Sequence, residues 1–157
     1  MVYEQDYILR LIQRVGVFLR AIASALREHR PQDALELSEE ALHHITGLSS
    51  DAATTTNVQN LLLILSAGGR VDVKRAILLA EVFAERAEAF EQQGDGGTAE
   101  RERAKARALA EAAAKAAPDS DDGDRARMLL ATLTGDPAAG IGDVADLGRR
   151  MDDTAAG

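Results

Sequence analysis

His43 and His44 stand next to each other with Glu39 and Glu40 four residues before them. On a helix, Glu39/His43 and Glu40/His44 would each present an oxygen–nitrogen pair on one face, the kind of donor set zinc accepts. Consecutive helical residues point about 100° apart, however, so two adjacent histidines cannot close on one ion from a straight helix. They read as surface histidines beside carboxylates, and no metal site is expected. The Asp119-Ser120-Asp121-Asp122-Gly123-Asp124 run invites a calcium loop, which needs glycine at its sixth position and glutamate at its twelfth. Counted from Asp119, glycine comes fifth and Leu130 twelfth, so an acidic linker is expected instead. Gly94-Asp95-Gly96-Gly97 lacks the preceding strand and the lysine of a phosphate cradle and reads as a turn between helices, and Gly140-Ile141-Gly142 is weaker still. The hydroxyls Ser24, Ser38, Ser49, Ser50, Ser66 and Ser120 sit in no strained nucleophile elbow. No catalytic residue and no cofactor site is selected. The mixed-sign stretch Glu100 to Arg107 offers Glu100/Arg103 and Glu102/Lys105 at i,i+3, with Glu111/Lys115 at i,i+4 beyond it; such pairs contribute a few tenths of a kcal/mol and serve solubility.

The elements that would carry these residues are helices. Ile8, Leu11, Val15, Phe18, Ile22 and Ala25 recur at spacings of three and four, and Ile12, Leu19 and Leu26 widen the stripe, which predicts a first helix from about Glu4 to about His29. So broad an apolar face must cover later helices or a second copy of itself. Pro31 fits the first turn of a second helix through Ala34, Leu35, Leu37, Ala41, Leu42 and Ile45, with Gly47 past its end. The short link from Glu28 to Arg30 folds the two back as a hairpin. Ser49 to Thr55 reads as a turn, and Thr56 to Gln59 has capping-box spacing before the Leu61–Leu65 run. That run is taken as helix because no partner strand is evident. Gly68-Gly69 ends it. Asp72 caps a helix through Ala76, Leu79, Phe83, Ala87 and Phe90; Thr98 caps the next, whose face is Ala99, Ala106, Ala110, Ala113 and Ala117 with Leu109, ending before Pro118. Beyond the acidic run a short helix through Met128, Leu129, Leu130 and Leu133 is expected, then a last turn or two at Val144, Leu147 and Met151 and a frayed tail from Asp152.

Composition narrows the function classes. The chain has 157 residues with 46% hydrophobic and 28% charged, a globular balance. Its 30 alanines make the core thin, since an alanine buries little area. Zero cysteines leave no disulfide, thiolate or cysteine-ligated metal. A net charge of −8 with no Trp, two Tyr and three Phe argues against nucleic acid as a partner. Arg10, Arg14 and Arg20 share the first helix, and Arg10 and Arg14 are read as its solvated side. The acidic opening and the short apolar runs give no export signal and no membrane span, so a cytoplasmic protein is expected.

Two resemblances add to this reading. Phe83 to Pro118 resembles a tetratricopeptide-type unit, with Ala87, Phe90, Gly94-Asp95, Ala99 and Ala106 near the expected offsets and the proline about seven residues late. The earlier hairpin fits through Ala34, Ala41 and Leu42, with His29 where glycine is usual. The opening Glu4 to Ile12, the Ala34-Leu35 to Ala41-Leu42 hairpin, the Leu61-Leu62 run and the Gly94-Asp95 turn together resemble a family of short uncharacterised bacterial proteins, a domain of unknown function, over about residues 3 to 117. That resemblance implies no catalytic residue.

The expectation is an all-α chain of antiparallel helical hairpins, tetratricopeptide-like. It has five main helices plus a short C-terminal one, with a hairpin domain over 1–118 and an acidic linker and tail over 119–157. Function is expected to be that of a non-enzymatic protein-interaction module. One alternative is a structural homodimer pairing two copies of the first helix through Tyr7, Ile8, Leu11, Val15 and Phe18. The other is a small-molecule-binding or enzymatic protein whose pocket is assembled from distant residues.

Overall fold

The computed structural model describes residues 2–135, with side-chain surroundings from Gln5 onward except at Ala67. The expectations for Gly140-Ile141-Gly142, Val144, Leu147, Met151 and the tail from Asp152 lie outside the described residues. Those described form an all-α fold of seven helices and one two-residue β-ribbon.

The first hairpin joins α1 (Val2–Arg27) to α2 (Pro31–Thr46). Leu11, Val15, Ile22, Ala25 and Leu26 of α1 and Ala34, Leu35, Ala41, Leu42 and Ile45 of α2 are buried, the faces that the three- and four-residue spacing marked. At the turn the Arg30 amide donates to the Ala25 carbonyl at 2.8 Å and the His29 amide to Leu26 at 3.1 Å. These paired bonds close a Schellman helix end, which needs a left-handed residue where His29 stands with φ 55. Gly47, at φ 75, ends α2 and donates to the His43 carbonyl.

Ser49 to Thr55 is not a turn. The Ser49 hydroxyl accepts the Ala52 amide and starts a short helix, α3 (Ser50–Thr55), one helix more than expected. The expected Thr56/Gln59 box does not form either. Thr56 turns its hydroxyl back onto the Ala52 carbonyl, and Asn57, one residue later, caps α4 (Val58–Ile64) by accepting the Asn60 amide at 2.8 Å. Leu61 to Ile64 is helical as expected, and a short ribbon follows it. β1 (Ser66–Ala67) pairs antiparallel with β2 (Arg70–Val71) around Gly68-Gly69, Ser66 opposite Val71 and Ala67 opposite Arg70. The ribbon pairs its few backbone groups locally and leaves the Leu61–Ile64 helix untouched.

α5 (Val73–Gln92), capped by Asp72, is the centre of the molecule: Ala76 to Ala80 are buried in succession, followed by Val82, Phe83, Arg86, Ala87 and Ala89. A helix buried on nearly all sides must be surrounded, and α1, α2, α6 and α7 all pack on it. Its turn to α6 (Gly96–Ala116) repeats the paired bonds of the first hairpin. The Asp95 amide donates to Phe90 at 2.9 Å and the Gly94 amide to Glu91 at 3.0 Å, now with glycine at φ 80. Asp95, not Thr98, caps α6, its carboxylate accepting the Thr98 amide at 3.1 Å. Ala99, Ala106, Ala110 and Ala113 with Leu109 form the buried stripe, and small side chains let α6 lie close on α5.

The acidic run is not a linker but the start of α7 (Asp121–Thr134). Ser120 caps it, and Asp121, Asp122 and Asp124 occupy the first turn, where the positive end of the helix dipole favours carboxylates. Gly123 lies flat on the end of α6: a Cβ there would stand 1.8 Å from the Ala117 carbonyl oxygen. Ala126 is buried in the same cluster as the α5 and α6 core, with Leu129, Leu130 and Leu133 packed against it.

Candidate interaction surface

Helix lengths decide which side chains stay uncovered. At 1.5 Å per residue α1 is about 39 Å long, α5 about 30 Å and α2 about 24 Å. The Gln92 side-chain amide donates to the Leu26 carbonyl at 2.9 Å, which sets the C-terminal ends of α5 and α1 side by side. The first turns of α1 therefore reach past both neighbours. Tyr7 lies on the same helical stripe as Leu11 and Val15, yet it is 56% exposed, because the overhang carries it past the described neighbours that bury those two. Between this overhang and the start of α5 runs an open groove of about 620 Å³, lined by Ile8, Leu9, Ile12 and Val73 with Lys74 and Asp122 paired across it at 2.9 Å. On the other side of α1 a second groove is lined by Arg10, Gln13, Arg14, Val17 and Phe18 with His44 of α2.

The expected pairing residues are thus divided. Tyr7 is exposed, Ile8 and Phe18 are half-buried, and Leu11 and Val15 are enclosed by the chain's own core. Leu11 and Val15 cannot meet a second copy while the fold is intact, because α1 spends its widest apolar stripe on its own neighbours. Other exposed apolar residues include Leu9 at 57% and Val17 at 58% on α1, Leu63 and Ile64 on α4, and Met128 on α7. Leu9 and Val17 sit off the stripe, and an apolar residue out of phase with its helix was the signal available for them.

Charge is segregated on this hairpin. From Arg10 to Arg27, α1 carries Arg10, Arg14, Arg20 and Arg27 and no acidic residue, whereas α2 carries Asp33, Glu36, Glu39 and Glu40 and no lysine or arginine. Among the described residues Arg10, Arg14, Glu36 and Glu40 form no ion pair. His44 stacks on Phe18 with ring centres 5.5 Å apart, and the His43 Nδ1–H donates to the Leu48 carbonyl at 3.0 Å. Neither histidine converges with Glu39 or Glu40 on a point, and no cluster of three or more ligand side chains occurs among the described residues.

The densest polar constellation is buried and was missed in the sequence. Arg86 of α5 faces Glu102 of α6 with two contacts of 3.3 and 3.4 Å, donates to the Ser38 hydroxyl of α2 at 2.9 Å, and lies over the Phe90 ring. Ser38 in turn donates to the Leu35 carbonyl at 2.6 Å. Glu102 therefore serves Arg86 rather than Lys105; the expected Glu100/Arg103 and Glu111/Lys115 pairs do form, at 2.9 and 3.1 Å. Lys105 caps the Thr54 carbonyl and lies against the Phe83 ring, and burial holds its ammonium below the usual lysine range, with Glu102 opposing. Burial likewise pushes the Glu81 carboxyl up against the opposing pull of Arg125, 2.5 Å away. None of these groups lines the two grooves; Arg86, Glu102 and Ser38 tie α2, α5 and α6 together, Lys105 ties α6 to α3, and Glu81 with Arg125 ties α5 to α7.

No helix among the described residues is long and apolar enough to cross a membrane. No family model, curated protein or solved structure matches the chain.

Proposed function

We propose that the chain is a non-enzymatic protein-interaction module that engages a partner through the outer face of α1 and the groove shared with α2. The observation that carries this reading is Val17, 58% exposed between Arg10, Gln13, Arg14 and half-buried Phe18 on a helix whose Val15, Ile22 and Ala25 are buried in the core. An isolated exposed apolar residue needs no explanation, but one set in a concave, singly charged lining is the arrangement interfaces use. Tetratricopeptide-like use of paired helices as a binding face fits this reading, as does the cytoplasm for a chain without cysteine.

The test is affinity capture with wild-type and Val17→Asp baits, each checked for native helicity, and Leu63→Ser, at an exposed apolar residue of α4, as a control. Partners retained by wild type and control and lost with Val17→Asp support the proposal. Identical captures by all three baits sink it. Strong thermal stabilisation by a metabolite or metal would favour a ligand-binding protein instead.

A further inference from the structure

We infer that α7 is a hinged strap, which swings off the α5–α6 hairpin as a unit while the rest of the fold stays closed, and so uncovers a second apolar face around Ile77. This device is independent of the surface on α1 and α2.

Elements that lock little apolar surface into the core are the first to open. Among the described residues the largest fully buried side chains include Ile22 of α1, Leu42 of α2, Leu61 of α4, Phe83 of α5 and Leu109 of α6, and α7 supplies none of them. What α7 buries fully is Gly123 and Ala126, while its Leu129, Leu130 and Leu133 are half-buried. Its polar ties are surface ones. Lys74 and Glu81 of α5 pair with Asp122 and Arg125, and the Arg107 guanidinium of α6 reaches the Leu133 carbonyl at 3.5 Å. Lys74 and Arg125 are exposed, and ion pairs so open to water hold weakly.

The join between α6 and α7 permits the swing. Pro118 cannot carry α6 onward and has no amide to bond, and the link is bridged by a side-chain bond, from the Ser120 hydroxyl to the Ala117 carbonyl at 3.1 Å. The α5–α6 turn, by contrast, is closed by two backbone bonds. Beneath α7 lies the α5 stripe Lys74, Ile77 and Glu81, at i, i+3 and i+7. Since Lys74 and Glu81 both bond α7, Ile77 between them, 2% exposed, is covered by it. Leu79 is equally buried but points about 160° away around the helix, into the core that does not move. Gly123 is the seat of the strap. A Cβ there would stand 1.8 Å from the Ala117 carbonyl oxygen, so one methyl group pushes α7 off without touching α5.

The experiment follows opening of the full chain by two measurements. Hydrogen exchange at neutral pH, read by mass spectrometry, should show the interior amides of α7 exchanging at least about a hundredfold faster than those of α5. Because the chain has no cysteine, Ile77→Cys and Leu79→Cys each offer a single thiol to an alkylating reagent. The thiol at position 77 should react at least about tenfold faster than the one at 79. Gly123→Ala should speed α7 exchange and labelling at 77 further, and leave the slowest α5 amides as they are. Amides of α7 protected as strongly as those of α5 overturn the inference, and so do equal labelling rates at 77 and 79. A Gly123→Ala chain that loses α5 protection together with α7, or does not fold, overturns it as well, since the rest of the fold would then depend on α7 staying seated.

Discussion

The α1–α2 and α5–α6 hairpins end their first helices with the same pair of backbone bonds, yet they serve the molecule in opposite ways. In α5–α6 the turn residue is Gly94, the core stripe is alanine, and the facing charges Arg86 and Glu102 are buried against each other. In α1–α2 the turn residue is His29, held left-handed against its preference, and the outward charges Arg10, Arg14, Glu36 and Glu40 stay unpaired within the described residues. Charges buried between packed helices are paired with each other, because unpaired burial costs several kcal/mol. A hairpin at the surface is free to keep charge in reserve for another molecule.

The largest expected effects lie in the enclosed hairpin. Phe83→Ala removes a fully buried ring and should cost about 3–5 kcal/mol in urea unfolding. Arg86→Ala strands Glu102 in the core and should cost about as much, roughly 3–5 kcal/mol. Replacing both partners with Arg86→Met and Glu102→Leu should recover most of that loss, and no recovery would mean that the pair is not what locks α5 to α6. Phe90 is only half-buried beneath the Arg86 guanidinium, so Phe90→Ala should cost about 1–2 kcal/mol, less than a core aromatic.

The two turns sharpen the contrast. No atom lies within 4 Å of where a Gly94 side chain would begin, so Gly94→Ala should cost about 1–2 kcal/mol from the left-handed backbone alone. His29→Gly should do the reverse and raise stability by about 0.5–1 kcal/mol, the backbone relief being partly offset by a freer unfolded chain. Opposite shifts in thermal midpoint, the gain smaller than the loss, would show one turn geometry with two occupants; a destabilising His29→Gly would show that the histidine side chain has a role of its own. On the solvent face of α6, Arg101→Ala should change stability by under about 0.5 kcal/mol.

The seam between the hairpins carries the smallest effect. Burial, then the neighbouring charges of Glu88 and Glu81, raise the Glu85 carboxyl above its ordinary value of 4.5. The folded state therefore holds that proton more tightly than the unfolded chain. Stability from this group is present below 4.5 and is lost as pH rises through the raised folded value. Glu85→Gln should flatten that part of a stability–pH curve, and an unchanged curve would remove Glu85 as its source.

Much of this architecture is legible in residue order. Apolar spacing located α1, α2, α5 and α6, Pro31 and Gly47 bounded α2, and Asp72 marked the start of α5. The errors cluster at helix starts, where more than one nearby side chain can serve as the N-cap. Asp95 outdid Thr98, Asn57 outdid Thr56, and Ser120 turned an apparent acidic linker into the first turn of a helix. The candidate surface was half legible. Tyr7, Ile8 and Phe18 were marked by the stripe, but that same stripe swept in Leu11 and Val15, which the fold encloses.

Helical periodicity, capping residues and the segregation of charge between α1 and α2 are local properties, and the order of residues by itself determined them. The tertiary structure alone decided that Glu102 would be buried with Arg86 and that Tyr7 would overhang its neighbours. The physical reason is that a side chain's angle around its helix follows from sequence spacing, while what stands opposite depends on the relative lengths and levels of helices far apart in the chain.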